Sequence, residues 1–352
     1  MKIGLITFHD TNNFGSYLQT YGLYKKVEDL GYNCEVIDYQ CKAIIQREIP
    51  KKCTLTLNPK TVLKDILFER ILRTKYKKLN AFLHNMMNVG KRYNRSTVNY
   101  SNEEYDKFLV GSDIVWGMDI IEGDTTYFLD FVKDRKKKYA FASSIGNQWK
   151  PAEKKLLAPL LSDFQCIAVR EEESADWIEE LTAKRPNVVC DPTMLLDAAE
   201  WSSLKSDKYS KDKYVLVYFP TEACLEAAKR IAKKKGIKCV CINYGLPYKG
   251  VTSVSPTTMG DFLSLFYYAE FVVTASYHGM LFSIYFNREF AYYNRAHKSR
   301  MNTLAKRMGV QSREGSEYDI LKMKPIDYSK VNEAVDEYRN YSIQVLKEML
   351  AK

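Results

Sequence analysis

The chain has 352 residues, 46% of them hydrophobic, which is enough to bury a large core and long enough for two domains. Its formal net charge is +10, with basic runs at 133–138 and 233–235. The first run precedes a strand and the second closes a helix, where cations suit the dipole. They serve equally as solvated surface or as an attraction for anionic substrates and membrane surfaces. Eight cysteines without CxxC spacing read as reduced thiols rather than a disulfide framework, and Cys239 and Cys241 flank one strand residue and so share a face. Nothing has the pattern of a signal peptide or membrane span, and zinc-knuckle, RNP-like and helix-turn-helix signatures are missing, so the expected location is cytoplasmic and no nucleic-acid partner is expected.

In chain order, residues 2–8 form an apolar strand. Tyr17, Tyr21, Tyr24, Val27 and Leu30 then recur at helical spacing, with Gly31 placed as a C-cap. A second strand covers 34–39. Residues 40–100 break the alternation with a basic, helical stretch over 61–87, read as an insertion near 41–100. Its charges offer a peripheral contact to the inner face of an anionic membrane. Strands return at 105–110 and 138–143. A helix at 152–161, a strand at 166–170, a helix at 172–181 and a short strand at 188–190 close the first half. The second half has strands at 214–219, 237–242, 271–275 and 290–293. Helices at 222–235, 258–268, 279–286 and 301–308 separate them. A final helix over 328–350 carries Val331, Val335, Tyr338, Val345 and Met349 on one stripe.

Such alternation gives parallel sheets with helices on both faces. The expected fold is α/β, with two doubly wound, Rossmann-like domains facing a cleft, 1–195 and 196–325, and a terminal helix at 326–352. That arrangement is similar to the two-domain GT-B architecture of glycosyltransferases.

Ligands of open α/β sheets collect at the C-terminal ends of the strands, and helix N-termini there favour phosphate or carboxylate. Four loops fall at such ends. After the first strand, the loop from His9 to Ser16 supplies Asn13, Gly15 and Ser16, either for a ligand or as a helix cap with a tight entry. Gly111-Ser112-Asp113 supplies a hydroxyl and a carboxylate, or caps a helix beside a packed Trp116. Arg170, closing an apolar strand, offers a fork for an anion, or an internal salt bridge with Glu171 to Glu173 or Asp113. Ser276-Tyr277-His278-Gly279 sits between a strand and an apolar helix, which singles out His278 among His9, His84, His278 and His297. Arg300, with Lys298 and Ser299, precedes a helix as a further anion contact. Asp191-Pro192-Thr193 turns the chain at the domain junction. HExxH, GxSxG, P-loop and GxGxxG motifs are missing, which argues against a metal, acyl-enzyme, nicotinamide or flavin mechanism.

Taken in order, these pieces resemble the polysaccharide pyruvyl transferase family. The resemblance runs from Lys2 to about Gly309. It rests on residues 3–7 leading to Asn13-Phe14-Gly15 and Leu18-Gln19, on Gly111-Ser112-Asp113 with Trp116, and on Val169-Arg170 with Ser174. Asp191-Pro192-Thr193, Ser276 to Gly279, Phe282-Ser283-Ile284, and Arg300 before Leu304 complete it. Ile114 stands where the family often has glutamine, and Tyr277 where phenylalanine is common. The resemblance implies transfer of a pyruvyl group from phosphoenolpyruvate to two hydroxyls of one sugar, in a polysaccharide or a lipid-linked glycan, giving a cyclic ketal and phosphate without a cofactor. It further implies Arg170 at the donor's anionic end, His278 as donor contact and acid/base, and Asp113 for an acceptor hydroxyl. Asn13, Gly15, Ser16, Ser112, Ser276, Tyr277, Gly279 and Arg300 would bind substrate. The alternatives are a glycosyltransferase using a nucleotide sugar on the same architecture and a non-catalytic glycan-binding relative.

Overall fold

The computed structural model describes residues 1–50, 59–294 and 298–352. Part of the expected insertion, 51–58, and His297 lie outside the described residues. The chain forms two compact units, one of residues 1–49, 80–196 and 336–352, the other of 50–79 and 197–335. One change of unit falls at 196/197. Two other changes fall inside long helices, at 79/80 and 335/336.

The first unit is built on seven strands, β1 (Lys2–Ile6), β2 (Asn33–Tyr39), β3 (Val89–Tyr93), β4 (Lys107–Val110), β5 (Lys138–Ser143), β6 (Cys166–Val169) and β7 (Asn187–Val188). All pair in parallel, in the order β3-β2-β1-β4-β5-β6-β7. The strand order therefore reverses between β1 and β4. Helices α1 (Phe14–Asp29), α2 (Lys42–Glu48), α4 (Pro151–Ser162) and α5 (Glu172–Thr182) connect the strands, with α3 (Pro59–Met86) entering this unit at Asn80. Strands β1, β4 and β5 are buried along nearly their whole length, as strands covered on both faces must be.

β3 lies inside the stretch read as an insertion and is one of the two edge strands of this sheet, with β7 at the other side. Its sequence, Val-Gly-Lys-Arg-Tyr, is too exposed and charged to show an apolar run, which is how edge strands avoid pairing with other chains.

The second unit has five parallel strands, β8 (Tyr214–Tyr218), β9 (Lys238–Ile242), β10 (Thr252–Val254), β11 (Phe271–Thr274) and β12 (Phe290–Tyr292), in the order β10-β9-β8-β11-β12. Its helices are α6 (Ala198–Ser203), α7 (Glu222–Lys235), α8 (Met259–Tyr267), α9 (Tyr277–Tyr285) and α10 (Lys298–Arg307). The order reverses here between β8 and β11, the counterpart of β1 and β4. The short edge strand β10 follows an irregular loop and has no apolar alternation to announce it. Cys239 and Cys241 do share a face, in one apolar cluster with Cys224.

The last helix, α11 (Tyr328–Ala351), gives its C-terminal part to the first unit. Ser342 Oγ accepts from Cys190 N at 2.9 Å, Arg339 Nε donates to Met194 O at 2.7 Å, and Lys107 Nζ donates to Leu350 O. Among the described residues, seven cysteines are free thiols, six of them buried.

Candidate functional site

In the first unit, the loops after β1 and β4 lie side by side at the point where strand order reverses. Asn13 caps α1, its Oδ1 accepting from Gly15 N at 3.0 Å. Ser16, in the first turn, donates through Oγ to Asp113 Oδ2 at 3.1 Å. The other carboxylate oxygen accepts from Ile114 N at 2.8 Å. Asp113 is only half-buried and has a left-handed φ of 71°. A non-glycine residue held there costs energy that the surroundings must offset, and such residues cluster at functional sites.

The loops are locked from below. Gln19, wholly buried, accepts from Ser112 N at 3.0 Å and donates to Thr7 Oγ1 at 3.0 Å, while Thr7 Oγ1 donates to Ser112 O at 3.2 Å. Gly111 has a φ of 133°, and a Cβ on it would stand 2.0 Å from Phe141 O. Only glycine fits. Ser112 Oγ and Ser144 Oγ are buried with no hydrogen-bond partner among the described residues. Trp116 is core, donating from Nε1 to Tyr127 O at 2.8 Å and stacking on Phe128.

Arg170 does lie at the C-terminal end of β6, but it is 3% exposed and held by carboxylates. Its Nε donates to Glu171 Oε1 at 2.9 Å and its Nη1 to Asp191 Oδ2 at 2.7 Å. The internal ion pair is thus present with Glu171, though the second carboxylate is Asp191 rather than Asp113. Asp191 Oδ1 also takes Thr193 N and Oγ1, at 2.9 and 2.7 Å. The 191–193 turn presses on α1, where a Cβ at Gly22 would meet Pro192 O at 2.3 Å. Arg170 therefore ties β6 to the turn that supports α1.

His9 and Asp38 form a buried pair at the same sheet edge that motif reading did not single out. His9 Nε2 lies 3.2 Å from Asp38 Oδ1, and Nδ1 lies 3.2 Å from Thr7 O. Arg92 Nε donates to the second oxygen of Asp38 at 2.8 Å. Burial alone raises the Asp38 pKa, but the hydrogen bonds from His9 and Arg92 outweigh it and hold the carboxyl below its ordinary range. The signal was there in β2, an aspartate inside an apolar strand.

In the second unit, Ser276 caps α9, its Oγ accepting from Gly279 N at 3.3 Å. Ser276 N donates to Thr274 Oγ1 at 3.1 Å, and that hydroxyl donates to Tyr218 O at 2.9 Å. β8 and β11 are thereby joined at their C-terminal ends. Gly279 packs so tightly that a Cβ would stand 2.3 Å from Thr274 Oγ1 and 3.0 Å from Tyr218 Cδ1. Ser276, Tyr277 and His278 are all half-buried, and the Tyr277 and His278 rings meet edge to face at 5.7 Å. The first N–H groups of a helix have no intrahelical acceptor and carry partial positive charge, so this start suits an anion.

Arg300 stands in the first turn of α10, which begins three residues before its expected start. Sequence reading passed over Phe219, which follows β8 with a left-handed φ of 55° and is 41% exposed. An exposed aromatic held in that conformation, beside β11, offers a face for stacking.

A model of the polysaccharide pyruvyl transferase family matches residues 13–297, a span that holds both Asp113 and His278. The chain belongs to that family, and it is a transferase. No curated protein matches the sequence significantly. Among solved structures, the chain is similar to UDP-GlcNAc 2-epimerase from Neisseria meningitidis bound to UDP-GlcNAc (TM-score 0.51, 12% identity, covering 100% of both chains). It is also similar to the S. aureus MnaA–UDP complex (TM-score 0.52, 14% identity, 97% and 94% covered). A third is the UDP-N-acetylglucosamine 2-epimerase of Rickettsia bellii (TM-score 0.51, 11% identity, 99% and 97% covered). At these identities the likeness concerns the fold, and it agrees with the expected GT-B-like, two-sheet α/β architecture. Among the described residues no helix is long and apolar enough to cross a membrane.

Proposed function

We propose that this transferase moves the pyruvyl group of phosphoenolpyruvate onto two hydroxyls of one sugar in a glycan, with no cofactor. The family match over 13–297 carries the reading. A carboxylate and a phosphate on the donor suit the capped start of α9, and its methylene must gain a proton. In this reading His278 contacts the donor and moves that proton, since imidazole titrates in the working range. Protonation of the methylene makes the methyl group and leaves C2 electrophilic. The first sugar oxygen bonds to C2, phosphate leaves with the C2–O bond electrons, and the second sugar oxygen closes the ketal. The two hydroxyl protons balance the one added to carbon and the one carried off by phosphate.

Asp113, oriented by Ser16, takes a proton from an acceptor hydroxyl. Ser112, Asn13 and Gly15 shape the loop that holds it, and Ser276, Tyr277, Gly279 and Arg300 serve the donor. Arg170 acts as a positioning residue, because its guanidinium already faces Glu171 and Asp191. A lipid-linked acceptor and action in the cytoplasm, with the basic insertion touching the membrane's inner face, belong to the same proposal.

A thermal-shift titration tests the donor. A ligand bound only by the folded state raises its apparent stability. Phosphoenolpyruvate should raise the melting temperature of the wild type and not of His278→Ala, while UDP-, GDP- and CMP-sugars should not. A shift with a nucleotide sugar alone would favour glycosyl transfer instead.

A further inference from the structure

A cavity of about 660 Å³ opens in the second unit between the end of α10, the 318–327 loop and the start of α11. It is within the size range of small-molecule sites. None of its lining residues belongs to the α9 start. The two places lie at opposite ends of the sheet's strands: Ser276 to Gly279 follow β11, whereas the cavity's Arg313 is held at Glu289, just before β12.

Arg313 builds the wall. Nη2 donates to Glu289 Oε2 at 2.5 Å and to Lys324 O at 2.9 Å, and Glu289 Oε1 accepts from Ile326 N at 2.8 Å. Arg313 is 2% exposed, and its Nη1 has no hydrogen-bond partner among the described residues. Glu289 neutralises this buried cation and fixes Lys324 and Ile326 at the cavity edge.

The rim adds charge of the same sign. Six cationic residues line the cavity against two carboxylates, Asp319 and Asp327. Those two carboxylates are already approached by Lys322 at 3.8 Å and Lys330 at 3.7 Å. Lys306 and Lys324 are exposed and have no ion pair among the described residues. The floor is different in kind. Met308, Val310 and Val331 are buried there, with Met323 and Ile326 half-buried beside them. A cationic rim over an apolar floor is complementary to a molecule with a phosphate at one end and an apolar body at the other.

We propose that this cavity binds an amphiphilic phosphomonoester, whose phosphoryl group meets Lys306 and Lys324 and whose apolar part lies on Met308, Met323 and Ile326. The site stands apart from the reading of α9 and does not depend on it. The test uses the full chain and calorimetric titration with monomeric dihexanoyl phosphatidic acid, with inorganic phosphate as the comparison. Sedimentation with phosphatidylcholine vesicles, with and without phosphatidic acid, runs alongside. Each surface cation near such a phosphate strengthens binding about fivefold, so Lys306→Ala with Lys324→Ala should weaken it about thirtyfold. His278→Ala should leave it unchanged. Binding of the monomeric lipid alone would identify a free amphiphile as the ligand, and sedimentation with the phosphatidic acid vesicles would identify a bilayer headgroup. The proposal is overturned if the lipid does not bind, if inorganic phosphate binds as tightly, if the double variant binds normally, or if His278→Ala abolishes binding.

Discussion

Gly279→Ala tests whether the α9 start is built as described. The new Cβ would lie 2.3 Å from Thr274 Oγ1 and 3.0 Å from Tyr218 Cδ1. Overpacking of this kind costs about 1–3 kcal/mol. Thr274 Oγ1 cannot retreat freely, because it donates to Tyr218 O and accepts from Ser276 N. Loss of those two hydrogen bonds adds about 0.5–1.5 kcal/mol each. The gain in helix propensity from glycine to alanine returns about 1 kcal/mol. The net expectation is a loss of about 1–5 kcal/mol from the second unit. Urea denaturation followed by tryptophan fluorescence would measure it, with the transition of this unit resolved from that of the first. The partner variant Thr274→Ala removes the clashing hydroxyl, so Gly279→Ala should cost much less in that background, a coupling of at least about 1 kcal/mol. A Gly279→Ala protein with the wild-type midpoint, or costs that simply add, would refute the packing argument.

Other outcomes follow from the same geometry. Arg170→Ala should destabilise the first unit by about 3–5 kcal/mol, because Glu171 and Asp191 would be left buried without their cation; an unchanged denaturation midpoint would contradict this. Asp38 has a folded-state pKa below its unfolded one, so its stabilising contribution is complete above about pH 4 and lost as pH falls through the folded value. The stability gap between wild type and Asp38→Asn should therefore be steady from neutral pH to about 5 and shrink in acid; a gap that grows in acid would reverse the sign. Burial pushes the Cys190 and Cys241 thiols up to about 12, so iodoacetamide at neutral pH should label them only after unfolding, as mass mapping would reveal.

The sequence carried more of the fold than of the site's wiring. Buried parallel strands such as β4 and β11 are short apolar runs, and each is followed by a loop whose residue types stand out, so Asp113 and His278 could be located from pattern alone. Strands β3 and β10 could not, because Val-Gly-Lys-Arg-Tyr and Thr-Ser-Val carry no apolar run or alternation. Long-range partners are likewise invisible to local pattern. Arg170 meets Asp191 across 21 residues and His9 meets Asp38 across 29. For Arg170 the difference is plain: a lone arginine at a strand end reads as an anion contact, while the folded chain sets Glu171 and Asp191 against it. Phe219 was hidden for another reason, since nothing local marks the residue after β8 as left-handed.

The most direct test of the proposed chemistry is proton and phosphorus NMR of the wild-type protein incubated with phosphoenolpyruvate and a panel of glycans. The account predicts that for at least one glycan the vinyl protons of the donor give way to a ketal methyl signal, with one phosphate released per methyl formed. His278→Ala should show neither change. Turnover of a nucleotide sugar with phosphoenolpyruvate left intact would contradict the account.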